Sequence, residues 1–396
     1  MSLKQIIITA VLIRLLISPF LFHPDIKDIN LRVSFLSAGV FNIYDYLEEN
    51  QLTKQNAPDF AYPPLTYFFL GSYQFIVKPF LGSDFNQWLF DFSGLSTESI
   101  YIFRYLLILK LPFLIFDLFV AFTLSKIVKP SQQRLAISFW LFNPVNLYAI
   151  YALGQFDIIP SFFTALAWFL WEKKLIVRSA FCLGLAISFK AYAIFLLPFF
   201  LLYKEKFRLK AYHFLISLGF YSITILPFLS SEYFKENFLF SGLSKRILEE
   251  QFSIGVINIS IFPVLYLFLI FLALIRRSSP LSVFILSALL LIFASTKFHP
   301  QWIIWVTPFL TLLFVRNQIN FLLFSLFSSI YFIIFAFFGD KYLTFSLLSP
   351  ISSMFQEIPP ITQIIGEKSQ LFLNIFRAGF SIICIAIIFH ALRRTK

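Results

Sequence analysis

Runs of apolar residues about as long as a bilayer is thick recur from one end of the chain to the other. A transmembrane helix needs about 20 consecutive, mostly apolar residues, because a backbone in hydrocarbon must satisfy its own polar groups. Such runs fall near 6–22, 105–126, 135–152, 158–171, 175–189, 191–203, 211–229, 258–275, 281–296, 301–315, 319–338 and 370–391. The pattern predicts an all-α polytopic membrane protein with about twelve transmembrane helices. Only 13% of the 396 residues are charged, while 59% are hydrophobic and 57 are Phe. Soluble domains carry about 25% charged residues, so an ordinary soluble globule is excluded. A disordered chain is excluded as well, since it requires low hydrophobicity. Cys182 and Cys384 both lie in apolar runs and offer neither a disulfide framework nor a zinc spacing. No small-residue cleavage site precedes His23, so the first run reads as a retained span rather than a signal peptide.

The net charge of +12 has the sign of a nucleic-acid binder, but its distribution is that of a membrane topology. Lys and Arg gather in cytoplasmic loops. With the N-terminus inside, Lys4 and the short segments at 126–134, 172–178, 204–210, 276–277, 316 and 393–396 hold about half of the 32 basic residues. They hold only Glu172 and Glu205 of the 20 acidic ones. Both termini are therefore expected in the cytosol and no nucleic-acid partner is expected. The chain reads as one domain, 1–396, whose long segments 23–104, 230–257 and 339–369 face away from the cytosol. Function tends to sit on ordered loops carried by a rigid scaffold, which makes the outer face the working face. After Pro63-Pro64, the run Leu65 to Phe80 closes on no charged cytoplasmic end. It reads as a re-entrant or interfacial helix.

Candidate chemistry lies along these outer segments. His23-Pro24-Asp25-Ile26-Lys27-Asp28 puts two carboxylates at the water boundary just after the first span. Asp25 or Asp28 there can act as a general base toward a hydroxyl, or simply form a solvated acidic flank. The pair can also hold a divalent cation; Lys27 between them speaks against that, and no metal site is expected. Arg104, at an outer boundary, either snorkels to headgroups or meets a phosphate. Asp157 follows Gly154-Gln155-Phe156 in a very short outer turn. Lys190, between two apolar runs, is costly unless paired or bound to an anion. Asp117, inside a span, is either a partner of that kind or a structural hydrogen-bond acceptor. Lys245-Arg246 with Glu249-Glu250 is a solvated helix face or a cationic patch. In Lys297-Phe298-His299-Pro300-Gln301, Lys297 and His299 can gather with Arg246 around a phosphate, the alternative being a structural role for the histidine.

Taken in order, these motifs resemble the GT-C superfamily of integral-membrane glycosyltransferases. The nearest branches are the dolichyl-phosphate-dependent glucosyltransferases of N-glycan assembly and the first mannosyltransferase of GPI-anchor assembly. Asp25 followed by Gly39 and Tyr44 is similar in spacing to the GPI-type enzymes. Tyr62-Pro63-Pro64-Leu65-Thr66 is similar to the tyrosine–proline motif that ends the family's first loop. Phe103-Arg104 opens the second span as in the glucosyltransferases, and Phe189-Lys190 followed by Pro198 resembles a Lys-to-Pro motif of both branches. Arg246 falls where the glucosyltransferases carry a basic-then-acidic motif, and His299 matches the outward histidine that contacts donor phosphate. No acceptor-recognition motif is visible, and the C-terminal third matches only in hydropathy.

The resemblance implies an inverting, metal-independent and cofactor-free transfer of one hexose from a polyprenyl-phosphate sugar to a lipid-linked or glycan acceptor. It implies Asp25 as base and His299, then Lys297, Arg246, Arg104 and Lys190, around the leaving phosphate. Asp28, Asp157 and Tyr62 join them as substrate-binding candidates. The expected partners are these substrates and membrane lipids, in the plasma membrane of a prokaryote or the endoplasmic reticulum of a eukaryote. Two other readings remain open: a lipid-linked-sugar flippase or transporter, which needs charged residues along a path through the membrane, and an oligosaccharide polymerase or ligase, which usually relies on Arg-rich outer loops.

Overall fold

The structure, a computed structural model, describes residues 2–50, 52, 60–91, 99–203, 205–240, 243–276 and 279–393. Glu98, Lys204, Arg277, Arg394 and Lys396 lie outside the described residues. The described residues are mostly helical, and the one sheet among them is a two-stranded hairpin. Among the described residues, four helices are long and apolar enough to cross a membrane: Leu3–Phe20, Ile102–Ile127, Phe207–Phe228 and Ile361–Arg393. A fifth is reached if Pro130–Leu141 and Pro144–Ala152, bent by 44°, are taken as one span. These helices make the chain membrane-compatible in length and composition.

Other apolar runs are shorter or interrupted as helices. The run 301–315 divides into a 3-10 segment, Pro300–Trp305, and a helix, Thr307–Val315, with Pro308 inside its first turn. Proline has no N–H to donate and fixes its own φ, so it favours helix starts over helix interiors. The run at 191–203 divides similarly, at Pro198. The run beginning at 258 starts instead as a strand. Gln251–Ile254 pairs antiparallel with Ile257–Ser260, and the helix begins at Ile261. Gly255, at φ +61°, supplies the left-handed residue of the connecting turn. The run after Pro63-Pro64 is helical throughout, Pro64–Leu81.

Two compact units make up the chain. The first comprises Met1–Leu31, Tyr73–Ile158 and His299–Ile383. In its first helix, Leu3–Ile17, the buried residues are Ile6, Ala10 and Arg14, one per turn along a single face. Arg14 is not left as a bare charge. Its Nε donates to Asp117 Oδ2 at 2.6 Å, and its other nitrogens donate to the Ala10 and Leu141 carbonyls. Asp117 also accepts from the Trp140 indole at 2.6 Å and the Tyr151 hydroxyl at 2.8 Å. A buried ion pair is tolerable when every remaining donor and lone pair finds a partner. Asp117 is thus the structural acceptor, and its ionic partner is Arg14. Phe22, Ile26 and Leu31 join Leu81, Phe85, Trp88, Ile102 and Tyr105 in an apolar core. This core seats the helix Pro24–Ser34 that carries Asp25.

The second unit comprises Arg32–Ser72, Ile159–Phe298 and Cys384–Lys396. Its helix Leu281–Ser295 is buried on nearly every side, as expected of a helix that is apolar all round. Helices Ile176–Phe189 and Phe207–Ile225 approach closely at Gly184, where a Cβ would stand 3.0 Å from the Ser217 carbonyl. Ser217 itself donates to the Ala180 carbonyl.

Candidate functional site

Asp25 sits in the first turn of the helix Pro24–Ser34, where a helix macrodipole favours an acid. Its side chain remains 47% exposed, because Ile26 and Ile29 take the buried face. One neighbour holds the carboxylate by a hydrogen bond and another lies beside it. Gln155 Nε2 donates to Oδ2 at 2.7 Å, and His23 Nδ1 lies 3.5 Å from Oδ1. The Asp25 amide donates to that same Nδ1 at 3.2 Å, which puts the imidazole hydrogen on Nε2. Nε2 lies 3.8 Å from Asp340 Oδ2. One histidine therefore stands between the carboxylate after the first helix and another from the third long segment, 339–369.

Gln155 is delivered by a break in the chain. The helix Pro144–Leu147 runs into a π-helical turn, Tyr148–Ala152, and the chain then turns at Gly154, φ +65°. A Cβ on Gly154 would meet Ile26 Cδ1 at 2.9 Å and Lys110 Cε at 3.1 Å, so the backbone must pass here without a side chain. Lys110, fully buried, holds both ends of this arrangement. Its ammonium donates to the Ser18 and Leu21 carbonyls at 2.8 and 2.6 Å and to the Tyr151 carbonyl at 2.7 Å. The first two lie just before His23 and the third just before Gln155.

Asp157, two residues beyond Gln155, is wholly buried and accepts from the Trp305 indole at 2.6 Å. Trp305 stacks on Trp302 with ring centroids 4.8 Å apart, and His299 meets Trp302 edge-on at 5.4 Å. A short chain of contacts thus joins His299, half-buried, to the segment that orients Asp25. Buried there, Asp157 supports the indole. The sequence reading did not single out Gln155, His23, Asp340, Trp302 and Trp305. A Gln in an otherwise apolar stretch was the available signal for the first, and nothing in sequence pointed to Asp340.

No family model matches this chain, and no curated protein matches it.

The remaining candidates divide between the units. In the first, Arg104 donates to the Leu81 carbonyl at 2.7 Å and lies 4.5 Å over the Tyr101 ring, where it caps the end of the helix Pro64–Leu81. Asp28 is half-buried, about one turn along from Asp25. Lys27 turns inward to the Asp91 carbonyl and the Trp88 ring. Burial pushes its pKa down, opposed by the Asp91 carboxylate. Among the described residues, no group of three or more His, Cys, Asp or Glu is arranged to hold a metal ion.

In the second unit, Tyr62 is the meeting point. The Lys190 ammonium lies 5.4 Å over its ring. Arg246 has its pKa lowered by burial, with Glu249 and Tyr62 pulling the other way. Tyr44 anchors Tyr62 by donating to its carbonyl at 2.6 Å, and burial raises the Tyr44 pKa well above the usual phenol value. Thr66, from the same motif, donates to the Phe189 carbonyl at 2.8 Å, next to Lys190. Lys297 is exposed.

Proposed function

We propose that the chain is an inverting hexosyltransferase that takes its sugar from a polyprenyl phosphate on the extracytoplasmic side of a membrane. The reading includes about twelve spans with both termini in the cytosol, as the charge distribution implies. It puts the protein in the plasma membrane of a prokaryote or the endoplasmic reticulum of a eukaryote.

In the transfer, an acceptor hydroxyl oxygen attacks the anomeric carbon. Its proton passes to the Asp25 carboxylate. The bond from that carbon to the phosphate oxygen breaks, and its electron pair stays with the phosphate, where donors such as His299 meet the developing charge. The phosphodiester bond of the donor supplies the driving force. Tyr62, Lys190 and Arg246 make a cationic and aromatic group in the second unit whose chemistry suits an anionic lipid headgroup.

The observation that carries this reading is the treatment of Asp25. It is half-exposed directly after a membrane-length helix, and an amide from a distant break in the chain orients it. A neutral amide orients the carboxylate without engaging it in an ion pair. The test is to incubate purified protein with a panel of polyprenyl-phosphate sugars and a glycan acceptor and to follow release of polyprenyl phosphate. Asp25→Asn is expected to lower transfer by about 10²–10⁴-fold, the usual share of a general base, while the protein still folds and binds donor. Normal turnover by that variant would remove Asp25 as the base.

A further inference from the structure

The third long segment turns back on itself within the first unit and forms an open cleft of about 530 Å³. Asp340, Lys341 and Tyr342 line one limb, and Gln356, Glu357 and Gln363 the other. The limbs are tied together. Lys341 Nζ donates to the Gln356 carbonyl at 2.9 Å, and the Ser346 hydroxyl donates to the Phe355 carbonyl at 3.1 Å. Asp340 Oδ1 accepts from the Tyr342 amide at 2.8 Å, and the buried Tyr342 packs edge-on against Phe22. Phe22 in turn donates its backbone N–H to the Leu347 carbonyl at 2.8 Å. The cleft is thereby fixed to the segment that leads into His23 and Asp25.

The lining selects among ligand classes. Two carboxylates against one ammonium disfavour an anion, and that ammonium is already engaged by a carbonyl and lies 5.5 Å over the Tyr342 ring. Ile358, Pro359 and Pro360 add apolar surface beside these charged and amide groups, so the lining is mixed. Carboxylates accept, amides both donate and accept, and a hydroxyl does both as well. A concave site with several convergent groups of this mixed kind suits a neutral ligand bearing many hydroxyls. Its position adds the rest: Asp340, on the cleft's wall, is one imidazole away from Asp25, through His23.

We propose that this cleft is a saccharide-binding subsite that holds the acceptor sugar, with one of its hydroxyls presented to Asp25. The inference rests on the transferase reading above and names the acceptor side of the same reaction. The cleft binds the non-reacting hydroxyls, and Asp25 takes the proton of the reacting one as its oxygen bonds to the anomeric carbon and the phosphate leaves.

The test uses the full chain in lipid nanodiscs, with methyl α-mannoside and methyl α-glucoside as probes read by saturation-transfer NMR. Glu357 and Gln363 are exposed, so the double variant Glu357→Ala/Gln363→Ala is expected to fold. Wild-type protein should give a saturation-transfer signal with at least one probe. The double variant should bind about 10-fold more weakly, the scale of one or two lost hydrogen bonds. In turnover, its acceptor KM should rise by a similar factor, while release of polyprenyl phosphate to water in the absence of acceptor stays unchanged. Absence of signal with wild type, or equal binding by the variant, overturns the subsite. Transfer with an unchanged acceptor KM in the variant removes the subsite and leaves the transferase standing. Saccharide binding that the variant loses, together with no release from any donor, removes the transferase and leaves the cleft.

Discussion

An acid in the first turn of a helix is where the macrodipole favours one, so Asp25 gains nothing as a candidate from its position alone. Its neighbours raise its standing: the Gln155 amide on one oxygen, His23 beside the other, and through His23 the carboxylate of Asp340. Arg14, Lys110 and Asp117 show the opposite case. Charges inside apolar helices are by default functional candidates, and a carrier would need them along a path. Here Arg14 and Asp117 pair with each other and Lys110 donates to three carbonyls, so each of these three charges has a partner within the fold. Asp117→Asn should leave the Arg14 guanidinium buried without its counter-ion. Breaking a buried pair in this way costs about 3–5 kcal/mol, readable as a lowered unfolding temperature in detergent. An unchanged unfolding temperature would mean that the pair adds nothing to stability.

Breaks in the helices, rather than the helices themselves, carry the candidate site. Asp25 follows the end of the first helix, Gln155 follows a π-helical turn, and His299 precedes a 3-10 segment. Lys110 joins the first two of these breaks, and Gly154 lets them approach. Gly154→Ala puts a Cβ at φ +65° and within 2.9 Å of Ile26. Holding an ordinary residue in that region costs about 1–3 kcal/mol, and the added contact pushes on the Asp25 helix. Lowered thermal stability together with loss of transfer is expected; full activity in the alanine variant would show that the Gln155 segment does not orient Asp25. Sequence exposed these breaks only in part. Pro144, Pro300 and Gly154 mark them, but a π-turn leaves no residue signature, and the division of 301–315 depended on where Pro308 fell. The hairpin at 251–260 hid inside what reads as a loop followed by a span. Four residues per strand are too few for alternation to stand out against a Phe- and Ile-rich background.

For the molecule as a whole, membrane topology is the property that charge alone addresses. Cys182 and Cys384 are both buried, so single cysteines introduced at exposed positions report cleanly. Ser83→Cys and Gln363→Cys should react with a membrane-impermeant maleimide from outside intact cells or sealed right-side-out vesicles. Lys173→Cys should react only after permeabilisation. Labelling of Lys173→Cys from outside, or of the other two only from inside, would invert the topology and place Asp25 in the cytosol. The contact of Phe22 with the Leu347 segment and of His23 with Asp340 requires the first and third long segments to lie on one side, as the charge distribution also demands.

What the sequence determined by itself was a helical chain with apolar helices suited to a membrane. Hydropathy and basic residues act as sums over many positions, so a one-dimensional reading captures them. It also named Asp25, because a carboxylate next to a span end is conspicuous in sequence. Only the tertiary structure decided which residues hold that carboxylate and what stands beside it. Gln155 is 130 positions away, and Asp340 belongs to the C-terminal third, where hydropathy was the only legible pattern. Hydrogen-bond partners are chosen by three-dimensional proximity at chain breaks, and neither composition nor periodicity encodes which breaks will meet.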